Sequence, residues 1–191
     1  MIIMGIDCGY THPGCAIVDF DNTSADQPIL DFKHGETLET ERREDRVSVI
    51  LDDHRRISMI SKWLRETHDR FRPSLVVLEL PTSGARSALA IKGMGFATAL
   101  TIATVESYFK HDKLELISPY DSKLWCCGDR HAEKDEVIKA VSKFFPNVPW
   151  PTMKRKKGIN SALAEGIADS LAAILYIVKC GKAASKEVEV Q

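Results

Sequence analysis

The sequence has no C-x-x-C pair, no uninterrupted apolar run near the ~18 residues of a membrane span, and no excess of charge of either sign. Each shortage excludes something. The five cysteines, Cys8, Cys15, Cys126, Cys127 and Cys180, are odd in number and lack the spacing of a zinc site. Cys126 and Cys127 are adjacent, which an unstrained disulfide does not allow. All five read as reduced thiols that pack as small hydrophobes. Lys and Arg total 26 against 27 Asp and Glu, for a net charge of -1, so any surface for nucleic acid has to be local. Residues 1–10 have neither a basic start nor an extended apolar region, and Asp7 interrupts them. Together these features lead us to expect an intracellular protein, not secreted and with no membrane partner. No internal repeat or low-complexity block is present.

What remains is the composition of an ordinary globule: 191 residues, 44% hydrophobic and 28% charged, the length of one domain. Residues 2–7 and 15–20 are apolar runs on either side of the turn-forming stretch 9–14, which predicts a hairpin. Residues 29–37 add a third, more exposed strand. Between 40 and 71, Val47, Ile50, Leu51, Ile57, Ile60, Trp63 and Leu64 recur at three- and four-residue steps. This pattern predicts an amphipathic helix, or two in series, whose nearly balanced charges form a solvated outer face. Leu75 to Glu79 reads as a buried strand closed by a carboxylate. Residues 86–109 read as a long helix rich in Ala and Gly, 114–118 as a strand, 132–145 as a helix and 147–158 as a Pro- and Lys-rich loop. Ser161 to Lys179 reads as a final helix that Gly181 can cap, and 181–191 as a polar tail. The order β-β-β-α-β-α-β-α-α describes one mixed α/β domain.

Three carboxylates stand where burial makes charge expensive. Asp7 and Glu79 end apolar strands, which is also where open α/β sheets bind ligands. Asp169 interrupts the small-residue core stripe of the last helix, and Glu165, four residues earlier, shares its face. Hard oxygen donors without a Cys or His cluster suit Mg²⁺ or Mn²⁺ rather than zinc. Two such ions stabilise both the attacking and the leaving oxygen in phosphodiester hydrolysis.

Several ordered pieces carry a resemblance. They are Gly5-Ile6-Asp7-Cys8-Gly9 followed by Gly14 and a strand; Val77-Leu78-Glu79; and Ser87-Ala88-Leu89 leading into Gly93 to Glu106. Lys123 follows, then Ala132-Glu133-Lys134 opening a helix, and Ala168-Asp169-Ser170-Leu171-Ala172. In this set the chain resembles the RuvC-type Holliday-junction resolvases of the ribonuclease-H-like nuclease superfamily, over most of residues 1–179. The resemblance implies a ribonuclease-H-like mixed sheet flanked by helices, with a nuclease domain over 1–180. It also implies a crossover junction endodeoxyribonuclease that nicks four-way DNA junctions in symmetric pairs by two-metal hydrolysis.

Carried over by residue, Asp7, Glu79 and Asp169 match the metal-binding acids. The family's fourth acid lies three residues before the last, at Gly166 here, so Glu165 is the nearest substitute. Lys123 and Lys134 match lysines close to the scissile phosphate, with Lys134 counted among the catalytic groups. The family carries an aromatic just after the second acid, where this chain has Leu80-Pro81-Thr82-Ser83. The resemblance further implies two Mg²⁺ ions per site, with Mn²⁺ as substitute, and a homodimer built on the helix at 86–109. A branch-migration motor is left open as a partner. The basic run Lys154, Arg155, Lys156 and Lys157 is read as a DNA contact, and Trp125 and Trp150 as core or rim packing ahead of base stacking. Two other readings stand beside this one: a ribonuclease-H-like nuclease acting on flaps or RNA–DNA hybrids, and a protein that binds branched DNA without cutting it.

Overall fold

The computed structural model describes residues 1–21, 29–40, 48–81, 87–109, 113–153 and 158–180. Strands β1 (Ile2–Asp7), β2 (Gly14–Asp21), β3 (Ile29–Thr37), β4 (Leu75–Glu79) and β5 (Lys113–Ile117) form one sheet in the order β3-β2-β1-β4-β5. The first three make the expected antiparallel meander, while β4 and β5 run parallel to β1. This mixed pattern puts the two most apolar strands, β1 and β4, at the centre. All five residues of β4 are buried.

Alternation along the strands feeds two cores, because successive side chains point to opposite faces. On one face Met4, Ile6, Ile17, Val76 and Leu78 pack against Ile60, Trp63 and Leu64 of α1 (Val49–Phe71) and against Ala97 and Val105 of α2 (Ala88–Tyr108). On the other face Ile3, Ala16, Val18, Leu75 and Val77 meet Ile167, Leu171, Ile174 and Val178 of α5 (Ser161–Lys179). Helices α3 (Pro119–Cys127) and α4 (Lys134–Phe144) pack onto α5, with Val137 and Val141 of α4 entering its core.

Helix α5 lies unusually close to the sheet. A Cβ on Gly166 would stand 2.8 Å from Gly14 Cα and 3.1 Å from Gly14 N, and a Cβ on Gly14 would fall into the Gly166 backbone. Only two glycines facing each other permit this approach. Thr37 of β3 fixes the same end of the helix by donating its hydroxyl to Leu163 O at 2.6 Å.

Four expectations need correction. Helix α3 was not foreseen; it opens on Ser118, whose side chain accepts from Tyr120 N, with Pro119 at its first position, a start signal that stood in the sequence. Helix α1 begins at Val49, and residues 41–47 lie outside the described residues. Its charged face is not wholly solvated, since Asp52 and Arg56 are 4% and 8% exposed. Finally, α2 and α5 are each long and apolar enough to cross a membrane, although neither contains an unbroken apolar run. The composition of α5 is explained by burial within the chain. That of α2 is not, because the helix is mostly exposed. The packing expected of the tryptophans is observed: Trp125 lies 5.9 Å from Phe144 between ring centroids, and both Trp125 and Trp150 rest against the α5 core. Gly181, the polar tail 181–191 and the basic run 154–157 lie outside the described residues.

The glycine contact makes a direct prediction. Gly14→Ala should push α5 off the sheet and destabilise the protein by about 2–3 kcal/mol, the usual magnitude of core overpacking. Thermal denaturation measures this, and an unchanged midpoint would mean that the close approach is not maintained in solution.

Candidate active site

The sheet register brings the first two acids together. Asp7 and Glu79 are parallel partners at the ends of β1 and β4, so both carboxylates leave the sheet at the same edge. Helix α5 crosses that edge through the Gly14–Gly166 contact and adds Asp169. The three groups act on one another. Asp7 is held well above the usual carboxylate range, first by burial and then by the charges of Asp169 and Glu165. Glu79 is raised by burial, by Asp169 and by Asp7, against a lowering hydrogen bond from Ser122. Burial is also the main cause that lifts Asp169 to about 7, opposed by Lys123 and Lys134. Acids that are distant in sequence thus act on one another here.

Glu165 stands on the same face of α5, and its charge reaches both Asp7 and Asp169. It forms an ion pair with Lys134, the first residue of α4. The position one residue on cannot carry an acid, because Gly166 is pressed against Gly14. The cation of Lys134 sits at a helix start, where the macrodipole disfavours it, and a carboxylate rather than a phosphate offsets it here. Lys123, on α3, hydrogen-bonds Ala132 O at 3.2 Å and acts on all three acids.

Sequence reasoning missed one participant. Ser122 is 1% exposed, and its hydroxyl donates to Glu79 Oε2 at 2.9 Å. It orients the buried carboxylate, and the only signal available was its place beside Lys123 on a helix that had not been anticipated.

No family model matches the chain. A curated crossover junction endodeoxyribonuclease RuvC from Thermus thermophilus is 30% identical over 142 residues, covering 74% of this chain and 78% of that relative. The chain belongs to the RuvC family. Two solved structures share its fold. Thermus thermophilus RuvC in complex with a Holliday junction substrate superposes with a TM-score of 0.67 at 22% identity, over 96% of each chain. The yeast mitochondrial Holliday junction resolvase gives 0.60 at 14% identity, over 93% of this chain and 80% of that one. The expected ribonuclease-H-like fold is thus confirmed.

Membership of the RuvC family implies dependence on a divalent metal, and the donor set fits one. Clustered, desolvated carboxylates with raised pKa values lack a positive charge, and hard oxygens suit a hard cation. Among the described residues no three His, Cys, Asp or Glu side chains already form a metal cage. Glu79 is turned to Ser122 and Glu165 to Lys134.

This electrostatic strain predicts how stability depends on pH and metal. Asp169 titrates near 7 in the folded protein against 3.8 for a free carboxyl, so the native state holds the extra proton. Its contribution is fully present below pH ~4 and is lost as pH rises through about 7. With metal removed, the melting temperature should fall by roughly 5 °C between pH 5.5 and pH 8, and Mg²⁺ should restore it mainly at pH 8. Asp169→Asn should flatten the profile. A wild-type profile that is already flat would contradict the clustering.

Proposed function

We propose that this chain is a crossover junction endodeoxyribonuclease that resolves four-way DNA junctions by paired symmetric nicks, with residues 1–180 as its nuclease domain. The observation that carries the reading is the meeting of Asp7, Glu79 and Asp169 at one sheet edge in a RuvC-family chain. Asp7, Glu79 and Asp169, with Glu165 as the fourth acid, would hold Mg²⁺, or Mn²⁺ in its place, at two ions per site. Bound there, the cations supply Lewis-acid charge to the attacking water and the leaving oxygen.

The chain's own residues do the rest. Ser122 holds Glu79 in a fixed orientation. Lys123 and Lys134 supply positive charge that reaches the acids, where it can hold a phosphate and offset charge that develops on it. Lys134 is paired with Glu165, so turning Glu165 toward the other acids releases its ammonium to a phosphate oxygen. The basic run Lys154, Arg155, Lys156 and Lys157 contributes backbone contacts. A junction substrate puts the working protein where DNA is, in the cytoplasm and at the nucleoid.

A labelled four-way junction on a denaturing gel tests this reading. Symmetric paired nicks in Mg²⁺ that vanish with chelator are expected. Asp7→Asn should abolish cutting while junction binding is retained, and Glu165→Gln should slow turnover by at least about 100-fold. Intact strands after prolonged incubation would instead favour a non-cleaving junction binder, and preferential cutting of flaps or RNA–DNA hybrids a different nuclease of the same fold.

A junction has two strands to nick, and a two-fold dimer supplies two sites. Helix α2 supports such a dimer. Gly95, Ala99 and Ala103 recur at four-residue steps on its exposed side, and a Cβ on Gly95 would have no atom within 4 Å, so no contact among the described residues uses that glycine's smallness. Glycine there costs about 1 kcal/mol of helix stability relative to alanine, which close contact with a second copy would offset. Leu89, Ile91 and Phe96 of the same helix are 56%, 59% and 40% exposed. Ala99→Glu should give a folded monomer in sedimentation analysis that has lost paired nicking. A dimer that survives the change would move the interface elsewhere.

A further inference from the structure

Asp7 is the last residue of β1, and six intervening residues, 8–13, lead to Gly14, where β2 begins. That turn follows directly on Asp7. It is held from the face of the sheet opposite α5, mainly by one residue of α1. The Arg56 guanidinium donates to Tyr10 O at 3.3 Å and to Thr11 Oγ1 at 3.0 Å, and its Nε lies 3.4 Å from Thr40 Oγ1. It also lies over the Tyr10 ring, 3.8 Å from the centroid. Thr40, fully buried, donates its hydroxyl to Tyr10 O at 2.5 Å and its N–H to Thr11 O at 2.9 Å. The Tyr10 ring is pressed against α2, where a Cβ on Gly93 would stand 2.5 Å from Tyr10 Cδ1. The Tyr10 hydroxyl donates to Asp53 at 2.6 Å, and Asp53 also accepts Lys92 of α2 at 2.6 Å.

Arg56 is 8% exposed, and among the described residues it has no carboxylate within ion-pair distance. Its neighbour Arg55 takes Asp52, and Lys92 takes Asp53. The Arg56 charge reaches Asp53 only at longer range, and a cation taken out of water in this way adds little net stability, since buried ion pairs are often matched by apolar side chains of similar volume. Its planar guanidinium is suited to something else: Nη2 donates to two successive residues of the turn while Nε faces Thr40, which ties the turn to the segment beside it.

We infer that Arg56 is a positioning residue for Asp7: through Tyr10 and Thr11 it fixes the turn behind the carboxylate and thereby sets the site's affinity for a divalent cation. The inference rests on the metal-dependent nuclease reading and adds a residue remote from the acids. The test is calorimetric titration of DNA-free protein with Mn²⁺, alongside the Mg²⁺ requirement for junction cutting. Arg56→Met should melt at or above the wild-type temperature yet bind Mn²⁺ about tenfold more weakly, the size of effect that outer-shell partners of metal ligands have. Its cutting should need correspondingly more Mg²⁺ and recover at saturation. Arg56→Lys keeps the charge but lacks the fork, so it should resemble Arg56→Met. Tyr10→Phe, which loses only the hydroxyl, should weaken binding about threefold. Wild-type Mn²⁺ affinity in both Arg56 variants overturns the inference, as does weakened binding that merely follows a falling melting temperature. If the wild type cuts no junction but its Mn²⁺ affinity still depends on Arg56, the nuclease reading fails while the positioning role stands. If the wild type cuts and the variants bind normally, the reverse holds.

Discussion

The site depends on one contact, the backbone-to-backbone approach of α5 to β2 at Gly166 and Gly14. Asp7 and Glu79 are brought side by side by strand register alone, but two carboxylates at a sheet edge are only half of a cation site. The remaining charge comes from a helix more than eighty residues further along the chain, and how deeply that helix sits decides whether Asp169 reaches the others. Any side chain at either glycine would lift α5 away from the acids. The same contact removes the possibility of an acid at 166, while Glu165, one residue earlier, is paired with Lys134. A departure from the family's spacing thus has a steric cause.

Holding these acids together works against folding. Each of the three is raised by burial before any neighbour is counted, and each also feels at least one other carboxylate. The protein offsets part of this with Lys123, Lys134 and the Ser122 hydroxyl, all delivered by the short helices α3 and α4 that pack on α5. These helices are therefore the electrostatic counterweight of the acid cluster rather than filler between strands. A divalent cation would do the same work more completely, and a fold that holds desolvated, only partly compensated carboxylates at its strand ends is poised to take one up.

Much of this was legible in the sequence because burial leaves a mark on composition. The apolar runs that end in Asp7 and Glu79, and the acid within the Ala-rich stripe of α5, break local rules of patterning, and such breaks concentrate at functional sites. The hairpin and the buried strand β4 were both legible from their apolar runs, whereas the pairing of β1 with β4 was not. Contacts between backbone atoms leave no such mark. Nothing at Gly14 or Gly166 announces that they touch, and the burial of Arg56 and Asp52 ran against a helix face that periodicity had assigned to water. Helix α3 was lost because Lys123 and the cysteines around it give no apolar period, although Ser118-Pro119 marks its start.

Helix α2 joins these themes. Its inner side meets the turn behind Asp7: Gly93 makes room for the Tyr10 ring, and Lys92 holds Asp53, which holds the Tyr10 hydroxyl. Its outer side carries the small residues Gly95, Ala99 and Ala103, exposed among the described residues. One rigid element of 21 residues therefore touches the turn behind Asp7 and carries a face of small residues that would suit a second copy. A helix cannot shift on one side without shifting on the other, since packed interiors transmit displacement rather than absorb it. In a dimer built on that face, the placement of each Asp7 would be mechanically tied to the interface, so a chain without its partner would lack both the second site and part of the scaffold that shapes the first.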